Sequence, residues 1–357
     1  MKRTEMPDTI KTTEESAYNG DAPLTVYIFG AGASVTAGYP TAAKFAGKLE
    51  QFLIRLSARP PEFKVDRLKK TISSTLEHLY QTGAQTIDEL VGTLNDTEAV
   101  ENAKTATEAL FLDIEHQLNP QMLRDYSNFL IRACLSPGNS KVADRLRPDV
   151  RVLTFNYDRA LEIAFAYLSE DVFSNNRIPH TDQHKSLKYS LKTHYHALNT
   201  GFHTGRGYEL KKGCFAYLKL HGSVGLKVPS SDPDIKHQQP FPVVTVLDDQ
   251  KLWRENGEMK VPSLIVFPHE KAGLPESSSD RLPTFHDYIA KIESDAVAVI
   301  QAAKEVHICG YSVCQPNWSR FEKIVSLAPT NCRFVIHDIS QVSGYKCHNS
   351  SWLETKG

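Results

Sequence analysis

Apolar residues along this chain recur at two spacings. Short runs rich in β-branched residues predict buried strands at Leu24 to Phe29, Val150 to Phe155, Cys214 to Leu220, Ser263 to Pro268, Glu305 to Cys309 and Arg333 to His337. Between them the apolar positions return every three or four residues. Phe45, Leu49, Phe52, Leu53 and Leu56 predict a helix from Thr41 to about Leu56, which Arg59-Pro60-Pro61 stops. From Val65 to about Val142 the same spacing repeats without a strand signal, predicting helix after helix with breaks at Asn119-Pro120 and Ser136-Pro137-Gly138. Further helices are expected at Arg159 to Leu168, Pro283 to Ala303 and Asn317 to Leu327.

Strands alternating with helices predict an α/β fold, a doubly wound, mostly parallel (Rossmann-like) sheet with a helical lobe inserted at about residues 57–148. That sheet would occupy residues 23–340, preceded by a polar, mobile arm at 1–22 and followed by a short tail at 341–357. Ser169 to Gly213 has no clear period and reads as a long insertion. Val224 to Val261 reads as loop with one extra hairpin strand at Pro242 to Leu247.

Composition narrows the function classes. A net charge of -1 provides no field to attract nucleic acid, although Lys211-Lys212 marks a local basic pair. With no apolar leader and no bilayer-length apolar run, the expectation is a cytoplasmic protein without a membrane segment. The cysteines Cys134, Cys214, Cys309, Cys314, Cys332 and Cys347 include no C-x-x-C pair, so no zinc ribbon is expected; Cys309 and Cys314 flank a predicted loop. His180, His184, His194, His196 and His203 gather in the long insertion without a convincing ligand spacing, and the expectation is no metal.

The candidate chemistry begins where the first strand ends. Gly30-Ala31-Gly32-Ala33-Ser34 is a strand-to-helix turn in which glycines permit close backbone approach and Ser34 can cap or donate, so its amides, from Ala31 to Ser34, are candidates to hold a pyrophosphate. The third glycine of the dinucleotide fingerprint is replaced by Val35, and a purely structural turn is the alternative. Asn156, just past the second strand, carries an amide able to donate and accept at the mouth of the sheet. It, or Asp158, is equally a helix cap. His221 ends another strand and is either a general base working near neutral pH or a strand-end histidine bonded to a carbonyl. Gly310-Tyr311-Ser312 and Asp338 close two later strands. Gly310 and Ser312 would approach phosphate or ribose and Asp338 would grip ribose hydroxyls, or each is a loop residue.

Taken together, the first turn with Ala37-Gly38-Tyr39-Pro40-Thr41, then Thr154-Phe155-Asn156-Tyr157-Asp158, then Leu220-His221-Gly222-Ser223, resembles the sirtuin-like NAD-binding family in order and approximate spacing. The resemblance implies NAD as substrate, with Gly30, Ala31, Gly32, Ser34 and Thr41 as cofactor contacts. It also implies Asn156 at the nicotinamide ribose, Asp158 near the carboxamide, and His221 as base. Protein-deacylating members carry paired zinc cysteines and an Asp-Phe-Arg segment where this chain has Thr41-Ala42-Ala43. These departures point to the zinc-less branch resembling NAD hydrolases of bacterial antiviral defence. The expected activity is an NAD glycohydrolase (NADase) releasing nicotinamide and ADP-ribose, switched on as a homo-oligomer or by a partner protein. An NAD-dependent deacylase or ADP-ribosyl transferase, and a non-catalytic NAD sensor, are the alternatives.

Overall fold

In the computed structural model, which describes residues 24–59, 65–169, 195, 197–200, 213–227, 263–273, 285–311 and 321–337, the chain enters as β1 (Leu24–Phe29). The helices α1 (Phe45–Ser57), α2 (Asp66–Thr82), α3 (Ile87–Thr93), α4 (Thr97–Glu115) and α5 (Arg124–Phe129) follow before β2 (Val150–Thr154). After α6 (Ala160–Leu168) come β3 (Ala216–Lys219), β4 (Gly222–Lys227), β5 (Ser263–Ile265), α7 (Phe285–Gln301), β6 (Ala303–Cys309) and β7 (Arg333–His337). Residues 321–325 are helical, within the helix expected at Asn317 to Leu327.

Local chemistry explains the lobe. Phe45, Leu49, Phe52 and Leu56 form the buried stripe of α1 at the spacing that one helix face requires. The Thr86 hydroxyl accepts the Glu89 amide to start α3, and Asp96 accepts the Glu98 and Ala99 amides to start α4. α4 packs against α2 and buries Ala103, Ala106, Leu110 and Ile114, small and branched residues that let the helices approach closely. No helix among the described residues is long and apolar enough to cross a membrane.

Five strands form one all-parallel sheet in the order β3-β2-β1-β6-β7. β1 is central, paired with β2 on one side and β6 on the other, and the order of successive strands reverses there. In an open α/β sheet that reversal parts the crossovers and opens a crevice at the carboxyl ends of the strands. The α/β Rossmann-like reading therefore holds.

Two strand expectations need correction. Gly222–Lys227 is a strand rather than the start of a loop-rich stretch, and Ser263–Ile265 pairs with it antiparallel in a separate two-stranded sheet. Gly222 (φ 73°) and Gly225 (φ 70°) obscured the strand, because glycine lacks the side-chain alternation by which a strand is read. Pro242 to Leu247, Lys211-Lys212 and the five clustered histidines lie outside the described residues.

Candidate active site

β2 delivers its exit residues to the crevice, and there the side chains converge. Asn156 Nδ2 donates to the Gly30 carbonyl at 2.9 Å and to Ser34 Oγ at 3.2 Å. Ser34 donates its one proton to Asp158 Oδ2 at 2.7 Å and therefore accepts from Asn156 and from the Tyr126 hydroxyl, 2.8 Å away. Asp158 Oδ1 accepts the Ala160 amide at 3.0 Å, holding the first amide of α6, whose N-cap residue is Arg159; Asn156 makes no bond to the helix start. With both amide protons committed, Asn156 presents Oδ1, which accepts from no described group. The residue expected to donate and accept at once is an acceptor toward the crevice.

The glycine turn is organised differently. Residues Ala31–Ser34 form a single 3-10 turn. Within it the Gly32 amide donates to the Gly310 carbonyl at 2.7 Å and the Ala33 amide to the Gly30 carbonyl at 3.0 Å. A Cβ on Gly30 would lie 2.5 Å from Tyr311 Cα and 2.8 Å from the Gly310 carbonyl oxygen, so glycine is required there by the neighbouring chain. Gly310 itself has φ 58°, the left-handed region that favours glycine. In this arrangement Gly32 and Ala33 spend their amides on the protein, so these two do not supply the expected pyrophosphate cradle.

A cleft of about 720 Å³, including its open mouth, lies over these groups. The sheet contributes Gly30, Ala31, Asn156 and Asp158, the segment before α1 contributes Pro40 and Thr41, and the lobe closes the far wall with Ile87, Asp88 and Thr107. Aromatic rings supply most of the rest: Tyr39, Phe45, Phe111, Phe155, Tyr157 and Tyr311. The Tyr157 hydroxyl donates to Asp88 Oδ1 at 2.8 Å, tying α3 to the β2 exit.

His221 does not line the cleft. It is 1% exposed, its ring edge-to-face with Phe155 at 5.3 Å and tilted against Tyr157 at 5.7 Å, and both of those rings are cleft wall. The structure thus brings Asn156, Asp158, Ser34, Thr41, Gly30 and Ala31 together, and sets His221 behind them. Ser312, Asp338 and Cys314 lie outside the described residues, so the contacts expected of Ser312 and Asp338 are not among the described geometry.

Behind the wall lie two ion pairs that the sequence did not announce. Arg159 holds Glu115 in a two-pronged contact, Nε to Oε1 at 3.0 Å and Nη2 to Oε2 at 2.5 Å, which ties α4 to the start of α6. Lys219 Nζ meets Glu162 Oε1 at 2.9 Å with both side chains fully enclosed, and also donates to the Asp158 carbonyl. Burial pushes the Asp158 carboxyl up to about 6, with Glu162 adding to the rise. Lys219, the Ala160 amide and the Ser34 hydroxyl act in the opposite sense by favouring its charge. Burial likewise raises the Tyr39 and Tyr126 hydroxyls well above their ordinary value, so both remain protonated near neutral pH.

Tyr126, Asp88 and the Lys219–Glu162 pair are the participants that sequence reasoning missed. Asp88 left a faint signal, an acidic residue in the first turn of a helix whose cap, Thr86, is readable. Among the described residues no group of three or more His, Cys, Asp or Glu is arranged to hold a metal ion. No protein-family model matches the chain, and no curated protein matches it.

Proposed function

We propose that this chain is an NAD glycohydrolase, cleaving NAD to nicotinamide and ADP-ribose, and that Asn156 and Asp158 carry the reaction. The observation behind the proposal is that Asn156 and the Asp158 carboxyl line one cleft at the carboxyl edge of a parallel sheet, joined through the Ser34 hydroxyl. An acceptor beside a raised carboxylate matches what the reaction requires. As the bond between ribose C1′ and the nicotinamide nitrogen breaks, its electron pair neutralises the pyridinium, and positive charge grows on C1′. Asn156 orients a ribose hydroxyl or the attacking water. Asp158 in its ionised form stabilises the charge and takes the water's proton as the new C1′–O bond forms. His221 is the alternative base, and its service requires Phe155 and Tyr157 to move aside.

The sirtuin-like resemblance supports the same assignment and extends it to the role of an NAD-depleting effector in bacterial antiviral defence, held in check until the chain assembles with itself or with a partner protein. Free nicotinamide measured on incubating the purified chain with NAD tests the activity. Asn156→Ala is expected to abolish most of the release, and undiminished release by that variant overturns the mechanism. The enclosed His221 favours a second reading, an NAD sensor, which would bind NAD and release no nicotinamide. A deacylase or transferase would need an acyl-peptide or acceptor protein in the same assay.

A further inference from the structure

Lys219 of β3 and Glu162 in the first turn of α6 are both fully enclosed behind the cleft wall, with Lys219 Nζ 2.9 Å from Glu162 Oε1. Replacing a buried pair of this kind by apolar residues of similar size is often neutral for stability or better, so its presence asks for another reason. One lies in the link between β2 and α6. The first carbonyl in the ladder of α6 is that of Arg159, which accepts the Ile163 amide at 2.9 Å. The Asp158 carbonyl precedes it and takes its proton from Lys219 Nζ instead of from a helix amide. Beside it the Tyr157 carbonyl accepts the Val224 amide at 2.9 Å. β3 and β4 thus hold the backbone of the link, while the Ser34 hydroxyl and the Ala160 amide hold the two carboxyl oxygens. Glu162 Oε2 has no hydrogen-bond partner among the described residues, and the described contact of that carboxylate is with Lys219.

The titratable groups coupled to Asp158 come from every side: Lys219 and Tyr217 of β3, Glu162 of α6, Tyr126 of α5 and Tyr39 before α1. Burial raises the three tyrosine hydroxyls well above their ordinary value, so they are neutral near neutral pH. Arg159 is matched by Glu115, Asp88 bonds the Tyr157 hydroxyl, and His221 packs on the Phe155 and Tyr157 rings. Lys219 favours the ionised carboxyl, and Glu162 opposes it by less. From this geometry we infer that Lys219 is the positioning residue of Asp158, gripping the backbone of the β2 exit and supplying the positive charge against which the carboxyl ionises, with Glu162 fixing Lys219 in place. The inference rests on the hydrolase reading only for what the ionised carboxyl then does.

Carboxyl-carbon NMR on the full chain labelled in aspartate follows the Asp158 titration directly, its resonance identified by its loss in Asp158→Asn. Lys219→Met is expected to move the midpoint upward from about 6 by about one pH unit or more. A pair that merely braces the fold gives the opposite sign, because a loosened site admits water and a hydrated carboxyl titrates lower. Lys219→Met leaves Glu162 enclosed without its cation, so Lys219→Met/Glu162→Leu, which removes both charges, carries the same test where the single variant does not fold. Its midpoint is expected to rise by less. An unchanged or lowered midpoint in either folded variant overturns the inference, and so does a double variant that cannot fold, since the pair would then be what the fold rests on. A raised midpoint in a chain whose parent releases no nicotinamide from NAD sustains the inference and removes the hydrolase. Nicotinamide release with an unmoved midpoint does the reverse.

Discussion

Two strand exits meet in the crevice, and they use the same kind of sequence to opposite effect. After β1, a glycine-rich turn looks like a ligand cradle, yet Gly32 and Ala33 spend their amides on Gly310 and Gly30, and Gly30 is required by the close passage of Tyr311. After β2, Asn156 and Asp158 look locally like helix-cap residues, yet Asn156 turns away from capping and meets Ser34 and the cleft. Backbone donors exposed in one turn can be satisfied by a neighbouring strand end that lies far away in sequence. Side chains at strand ends are gathered by topology, and this gathering is what makes a site.

Removing the β2 exit should produce the largest effect. Asn156→Ala deletes a pre-positioned polar group, and nicotinamide release is expected to fall about 100- to 1000-fold under saturating NAD, with the fold retained by circular dichroism. An undiminished rate in a folded variant would break the contrast between the two exits.

Asp158 sharpens the contrast through pH. Its carboxyl is raised from 3.8 to about 6 in the folded chain, so between those pH values the folded state keeps a proton that the unfolded state has released. Unfolding free energy should therefore fall as pH rises through that window, by about 2–3 kcal/mol for this group, and Asp158→Asn should flatten that slope in urea titrations. Nicotinamide release should show the complementary acid limb, rising as Asp158 ionises near pH 6. An identical slope with and without the carboxyl would show that Asp158 is not the raised group.

The β1 turn should respond as structure. Gly30→Ala drives a Cβ into the Tyr311 backbone and is expected to cost about 1–3 kcal/mol of stability by chemical denaturation. Native stability in that variant would undo the packing argument. Ser34→Ala should move the pH profile least. It removes the hydrogen bond that favours the charged Asp158 and takes the acceptor from the Asn156 amide and the buried Tyr126 hydroxyl. The acid limb should move upward by less than about one pH unit, with about 1–3 kcal/mol lost in stability. A downward move would contradict the direction in which Ser34 donates.

Strand runs such as Leu24 to Phe29 and Val150 to Phe155 were legible as continuous apolar stretches, and the helices of the lobe because burial of one face imposes a repeat on the order of residues. Their alternation was enough for a parallel α/β sheet. Asn156 and Asp158 were legible as candidates because they follow such a strand directly. Glycine-bearing β4 was not, since without side chains no alternation is written.

By itself the sequence determined the class of fold, the main strands and the helices between them, because these follow from short-range periodicity and the geometry of parallel crossovers. Only the tertiary structure decided which polar groups remained available at the strand ends. Gly32 lies 278 residues from the carbonyl that takes its amide, and Ser34 lies 124 residues from the carboxylate that takes its proton. Hydrogen-bond satisfaction depends on such distant encounters, so a local motif can offer a donor or acceptor without revealing whether the fold has already used it.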